Sequence, residues 1–119
     1  MDEKIEEIEE VENELILVAM DIILNAGNAR NKLEEALNFA KEGNFETAMD
    51  RIKDAKEDIR LAHLAQTQVI QSEMSGKVFD PTLLFNHAQD TLMTIMSEVN
   101  LTRSMIELYE MTMKALSKQ

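Results

Sequence analysis

At 119 residues, 45% of them hydrophobic and 29% charged, the chain has the make-up of one ordinary soluble domain, so neither disorder nor a fibrous repeat is the expected class. Three glycines and one proline leave few turns, which excludes an all-β sandwich and favours a small number of long segments. Twelve basic against 23 acidic residues give a net charge of −11, which opposes binding to nucleic acid or to an anionic lipid surface.

The first predicted element covers residues 4 to 42. Ile5, Ile8, Val11, Leu15, Val18, Ile22, Ala26, Ala29, Leu33, Leu37 and Ala40 recur at steps of three and four, the spacing of one helical face. Its first 14 residues carry eight acids and a single base, Lys4, so most of the excess charge belongs to one end and reads as a solvated acidic extension. Asn25-Ala26-Gly27-Asn28-Ala29-Arg30 places small residues mid-helix, where glycine is costly unless a neighbour approaches closely; Gly27 is therefore read as a packing position, and Arg30 as solvated. Glu42-Gly43-Asn44 ends the helix, Gly43 taking the left-handed conformation and Asn44 capping the next element.

The second element runs from Phe45 through Ala48, Ile52, Ala55, Ile59, Ala62, Gln66 and Val69, and fades in Glu73-Met74-Ser75-Gly76. Asp80-Pro81 is read as an N-cap followed by proline at the first helical position of a third helix. That helix continues through Leu84, Ala88, Thr91, Ile95, Val99, Thr102, Ile106, Tyr109, Met113 and Leu116, a length of about 50 Å. Three long helices with two short connections predict an all-α, antiparallel up-down-up bundle formed by residues 1–119 as one domain.

A second stripe on the third helix passes through Leu83, His87, Asp90, Thr94, Leu101, Met105, Leu108 and Thr112. Two seams exceed what three helices need. Either the core face is wide, or several chains share a larger core, for which the nine methionines are suitably adaptable.

With no cysteine in the chain, disulfides, thiolate metal sites and a cysteine nucleophile are excluded. No apolar run reaches membrane-spanning length and no basic, apolar leader opens the sequence, so a cytoplasmic protein without membrane insertion is expected. Gly-rich phosphate loops, G-x-S-x-G, H-E-x-x-H and EF-hand patterns are missing, which disfavours nucleotide-dependent kinases, serine hydrolases and zinc proteases. A helical-bundle metalloenzyme lacks its repeated Glu-x-x-His pairs.

Two histidines remain as chemical candidates, because imidazole exchanges a charge or a phosphoryl group near neutral pH. His63 lies in Ala62-His63-Leu64-Ala65-Gln66-Thr67, and either histidine alone is an ordinary surface or structural residue. His87 has Asp90 three residues later on the same face, within an otherwise apolar stripe. If that face is covered, Asp90 needs a partner, a proton or a cation, and three copies meeting on an axis would place three carboxylates round one divalent ion. If it is open, Asp90 is a solvated acid.

These residues carry a family resemblance. Ala26-Gly27-Asn28-Ala29-Arg30, Ala62-His63 with Gln66-Thr67, and Leu84-Phe85-Asn86-His87-Ala88-Gln89-Asp90 followed by Leu92-Met93 resemble, in order and spacing, the enzyme IIA component of lactose/cellobiose-type sugar phosphotransferase systems, from about residue 15 to the end. The resemblance implies a phosphoryl relay between the histidine-containing phosphocarrier and the cysteine of an enzyme IIB, serving a permease for a β-linked disaccharide such as cellobiose, chitobiose or lactose. It implies His87 as the phosphoacceptor at Nε2, Gln89 near the phosphoryl group, a homotrimer of three-helix bundles, Asp90 at a buried axial magnesium ion, and no nucleotide. Thr91 departs from the family's frequent second histidine, which puts that histidine's auxiliary role in doubt, and Asn25 stands where histidine or serine is common. The rival reading is a noncatalytic helical-bundle interaction protein in which His87 is incidental.

Overall fold

The computed structural model describes residues 2–80 and 82–118. Three helices account for nearly all of them: α1 (Asp2–Lys41), α2 (Phe45–Met74) and α3 (Leu83–Ser117). Each buries one stripe and exposes the remainder, as their amphipathic spacing requires.

The α1–α2 turn is built by local chemistry. Gly43, at φ +82, occupies the left-handed region that a Cβ disfavours, and its N–H donates to the carbonyl of Ala40 at 2.9 Å while Asn44 N–H returns to Phe39. The Asn44 side chain then accepts from Thr47 N–H at 3.3 Å, satisfying an orphan donor of α2. Both residues act as the sequence predicts.

The start of α3 differs from the expectation. Thr82, extended at φ −117 and ψ 150, is the N-cap, and its hydroxyl accepts from Phe85 N–H at 3.0 Å. Asp80 lies in the connection, outside the helix, because the Thr82 hydroxyl reaches the third amide of the helix that actually forms. The Pro81 expectation falls outside the described residues.

Opposite ends identify the topology as up-down-up. Phe45 at the start of α2 meets Tyr109 late in α3 edge-to-face, with ring centroids 5.8 Å apart. Lys77, beyond α2, pairs with Glu14 near the start of α1, and its ammonium lies 5.6 Å from the centroid of the Phe79 ring. At about 1.5 Å per residue α1 is longer than α2, so its first turns overhang one end of the bundle, while the last turns of α3 overhang the other. The molecule is a 78 × 21 × 19 Å rod. Overhang explains why Ile5 and Ile8, and Tyr109, Met113 and Leu116, stay exposed despite their core spacing.

The core runs from Leu15, Ile22 and Leu33 through Ile52, Ile59 and Val69 to Phe85, Leu92, Ile95 and Ile106. On α3 its register differs by one position from the expected seam near the N-terminus: Phe85 and Leu92 are buried, whereas Leu84 and Thr91 lie at the margin. Leucine and phenylalanine remove more apolar surface from water than the alternatives on that face. Much of the remaining interior is alanine, including Ala19, Ala26, Ala29 and Ala36 on α1 and Ala48, Ala55 and Ala62 on α2. Larger apolar side chains, among them Leu17, Met20, Leu24, Leu101, Met105 and Leu108, are left outside.

One ionic pair penetrates this interior. Asp58 of α2 is buried and accepts from the Lys32 ammonium of α1 at 2.6 Å.

Candidate functional site

His87 stands on the first turns of α3, about 6 Å along the axis from Leu83. Phe85 and Ala88 point into the core on either side of it, which fixes the helix and turns the His87 imidazole to solvent. An exposed imidazole on a rigid helix suits exchange with another protein, since the reacting ring nitrogen needs access that an enclosed pocket denies. Thr91 lies one turn on, and its hydroxyl donates to the His87 carbonyl at 2.8 Å. That back-bond fixes the Thr91 side chain against its own helix. Gln89 is half-buried beside the core face.

Asp90 is exposed in the single chain, together with every other member of the second stripe from Leu83 to Thr112. The wide-core alternative is thereby excluded: α3 buries one seam and leaves the second bare. The cost of desolvating Asp90 arises only when another surface covers this stripe. Among the described residues no three His, Cys, Asp or Glu side chains gather where they could hold a metal ion. One carboxylate is too few for a hard cation that takes six or more oxygen ligands, so a site at Asp90 fits only where several chains contribute it.

The other sequence candidates are dispersed. His63 is exposed on α2, with the Thr67 hydroxyl donating to its carbonyl at 2.9 Å. Arg30 is exposed, as expected, and in addition makes a two-pronged ion pair across to α3, its Nε and Nη2 donating to the two Glu98 oxygens at 3.0 and 2.8 Å. The Glu98 hydrogen bond holds the Arg30 pKa above its ordinary value. Gly27 does not act as a packing position within one chain, because a Cβ built there meets nothing within 4 Å. Asn25 is occupied locally, its amide donating to the Asp21 carbonyl at 3.0 Å.

The buried Lys32–Asp58 pair escaped the sequence reading. Its one legible signal is spacing: Asp58 is three residues after Ala55 and four before Ala62, on the face that α2 buries. Lys32 sits on α1, and only the packing of the two helices brings it to that carboxylate.

Comparison with known proteins agrees with this architecture. The family described as "PTS system, Lactose/Cellobiose specific IIA subunit" matches residues 17–110. The lichenan-specific phosphotransferase enzyme IIA component of Bacillus subtilis (strain 168) is 41% identical over 97 residues, spanning 82% of this chain and 88% of the relative. The N,N'-diacetylchitobiose-specific EIIA component of Escherichia coli (strain K12) is 37% identical over 97 residues, 82% of this chain and 84% of its own. Among solved structures, the cellobiose-specific enzyme IIA from Bacillus anthracis superposes with a TM-score of 0.78 at 40% identity, covering 82% of this chain and 90% of that one. The IIA(Chitobiose) in the solution structures of its complex with HPr from Escherichia coli gives a TM-score of 0.72 at 34% identity, covering 82% and 95%. Agreement in helix order and fold, extending over all three helices, makes the conclusion direct: the chain belongs to the lactose/cellobiose-specific enzyme IIA family and is a phosphotransferase component of a sugar phosphotransferase system.

Proposed function

We propose that His87 is the phosphoacceptor of a relay that takes a phosphoryl group from the histidine-containing phosphocarrier and passes it to the cysteine of an enzyme IIB. The observation that carries this reading is the solvent-facing imidazole of His87 in a chain of this family. In the first step the Nε2 lone pair attacks phosphorus in line, the new N–P bond forms, and the N–P bond to the phosphocarrier's imidazole breaks. In the second the IIB thiolate attacks the same phosphorus, an S–P bond forms, and the His87 imidazole leaves and returns to its neutral state. Catalysis is chiefly positioning, because each partner brings its own nucleophile. Gln89 is assigned to the phosphoryl oxygens by the family resemblance alone, because two residues along α3 it faces away from the His87 imidazole within one chain.

The working assembly is a homotrimer in the cytoplasm, with the bare stripe of α3 forming shared core and Asp90 from each chain meeting on the axis. A divalent cation there, magnesium by charge and ligand type, would offset two of the three carboxylate charges; its contribution is to assembly, away from phosphoryl transfer. Exposure of Leu101, Met105 and Leu108 on the same stripe as Asp90 supports this assembly. The transported sugar is of the β-linked disaccharide class, as the relatives' lichenan, lactose and diacetylchitobiose specificities suggest. Among the described residues no helix is long and apolar enough to cross a membrane; that a permease carries the sugar is what the family resemblance implies.

The test is intact-mass measurement after incubation with phosphoenolpyruvate, enzyme I and the phosphocarrier. One acid-labile phosphoryl group is expected on the wild type and none on His87→Ala. A folded wild-type protein that gains no mass favours instead a helical interaction protein that shares the family's fold.

A further inference from the structure

The overhanging start of α1 is an unpartnered amphipathic surface, and it lies at the end of the bundle where α3 begins. Ile8 and Val11, with Leu15 below them, form one wall of a groove of about 490 Å³, and Val78 of the α2–α3 connection forms the other. Ile8 is 50% exposed and Val78 79%, so this apolar surface is open to water within one chain. The rim is acidic. Lys77 engages Glu14, whereas Glu7, Glu10 and Asp80 make no ion pair among the described residues.

Charge along the helix identifies what the groove lacks. Asp2–Glu6, Glu3–Glu7, Glu6–Glu10 and Glu10–Glu14 are all acid–acid pairs at i, i+4, each mildly destabilising to an isolated helix. A second copy would bring the same acids to the same place and add to the repulsion. A segment with an apolar stripe flanked by Lys or Arg would cover the floor and relieve the rim together. Ile8, Val11 and Leu15 precede the matched family region, which begins at residue 17, whereas Val78 and Asp80 lie within it.

We infer that the groove between the α1 overhang and the α2–α3 connection is a docking site for a basic amphipathic helix of a partner protein. The apolar stripe of that helix lies on Ile8, Val11 and Val78, and its cations face Glu7, Glu10 and Asp80. The inference is independent of phosphorylation at His87.

It is tested by fluorescence anisotropy with a labelled helical peptide of about four turns, leucine on one face and lysine on the flanks. Binding to the full-length wild type is expected to weaken about tenfold in E7Q/E10Q/D80N and in I8S/V11S, and to be unchanged in E34Q/E42Q/E46Q, which removes equal charge elsewhere. Circular dichroism confirms the helicity of each variant. No binding to the wild type, equal weakening by both triple variants, or equally tight binding of a peptide with glutamine for lysine would overturn the proposal. So would a smaller sedimenting species for I8S/V11S, since that result assigns the groove to a second copy of this chain.

Discussion

Lys32 and Asp58 make an asymmetric pair, and the asymmetry predicts which half matters. Their charges are 2.6 Å apart, but the Asp58 side chain is 12% exposed and that of Lys32 31%. Lys32→Met strands a carboxylate against Ala55, Ile59 and Ala62, where water reaches little of it. Breaking a buried pair in this way costs about 3 kcal/mol, the low end for such sites because some solvent access remains. Asp58→Leu leaves an ammonium on a flexible stem that swings to water, and adds apolar surface to the core, so its cost is about 1 kcal/mol or less. At about 2.1 cal/mol/K per residue, 119 residues give an unfolding entropy of about 0.25 kcal/mol/K, so the expected falls in Tm are about 12 °C and about 4 °C or less. The assay is calorimetric melting at one fixed protein concentration, because the proposed self-association would make Tm concentration-dependent. Equal losses, or a larger loss for Asp58→Leu, would refute the reasoning by showing that the pair acts through mutual attraction and not through desolvation of one member.

His87→Ala is expected to abolish phosphoryl relay with no change in secondary structure, whereas His63→Ala, on the exposed face of α2, keeps most of it; coupled sugar-phosphorylation assays check both. On the proposed trimer, Asp90→Leu would replace a charge on the axis by apolar surface, and analytical ultracentrifugation is expected to show a trimer at least as stable as the wild type and independent of magnesium; monomers would remove Asp90 from an axial role. Thr82→Ala deletes the hydroxyl that accepts from Phe85 N–H and is expected to cost about 1 kcal/mol, a fall in Tm of about 4 °C; an unchanged Tm would mean that solvent caps α3 equally well.

Much of the fold is legible in the chain itself. The three-and-four spacing of Leu15, Ile22, Ala29 and Leu33, or of Ile52, Ala55, Ile59 and Ala62, dictates helical faces because a helix repeats every 3.6 residues whatever surrounds it. Gly43 and Asn44 announce the first turn for an equally local reason: one tolerates positive φ and the other accepts from an amide three residues on. His87 is legible as a candidate because histidines are scarce here and its neighbours match a family motif. Periodicity also marked the surplus stripe on α3, and the structure decided that it is bare rather than a broad core.

What the sequence could not decide depends on where one helix ends against another. Ile5 and Ile8 have core spacing, yet burial needs an opposing helix, and α2 does not extend that far. Asp80 and Thr82 are both capable caps; the choice belongs to the backbone path that leads into α3. Lys32 meets Asp58, and Arg30 meets Glu98, only because tertiary packing sets the rotation and register of each helix on its neighbours. Hydrophobic spacing thus determines which face of each helix turns inward, a local property of the chain, whereas ion pairs, overhangs and the acidic groove arise from relative length and alignment, which exist only once the three helices are assembled.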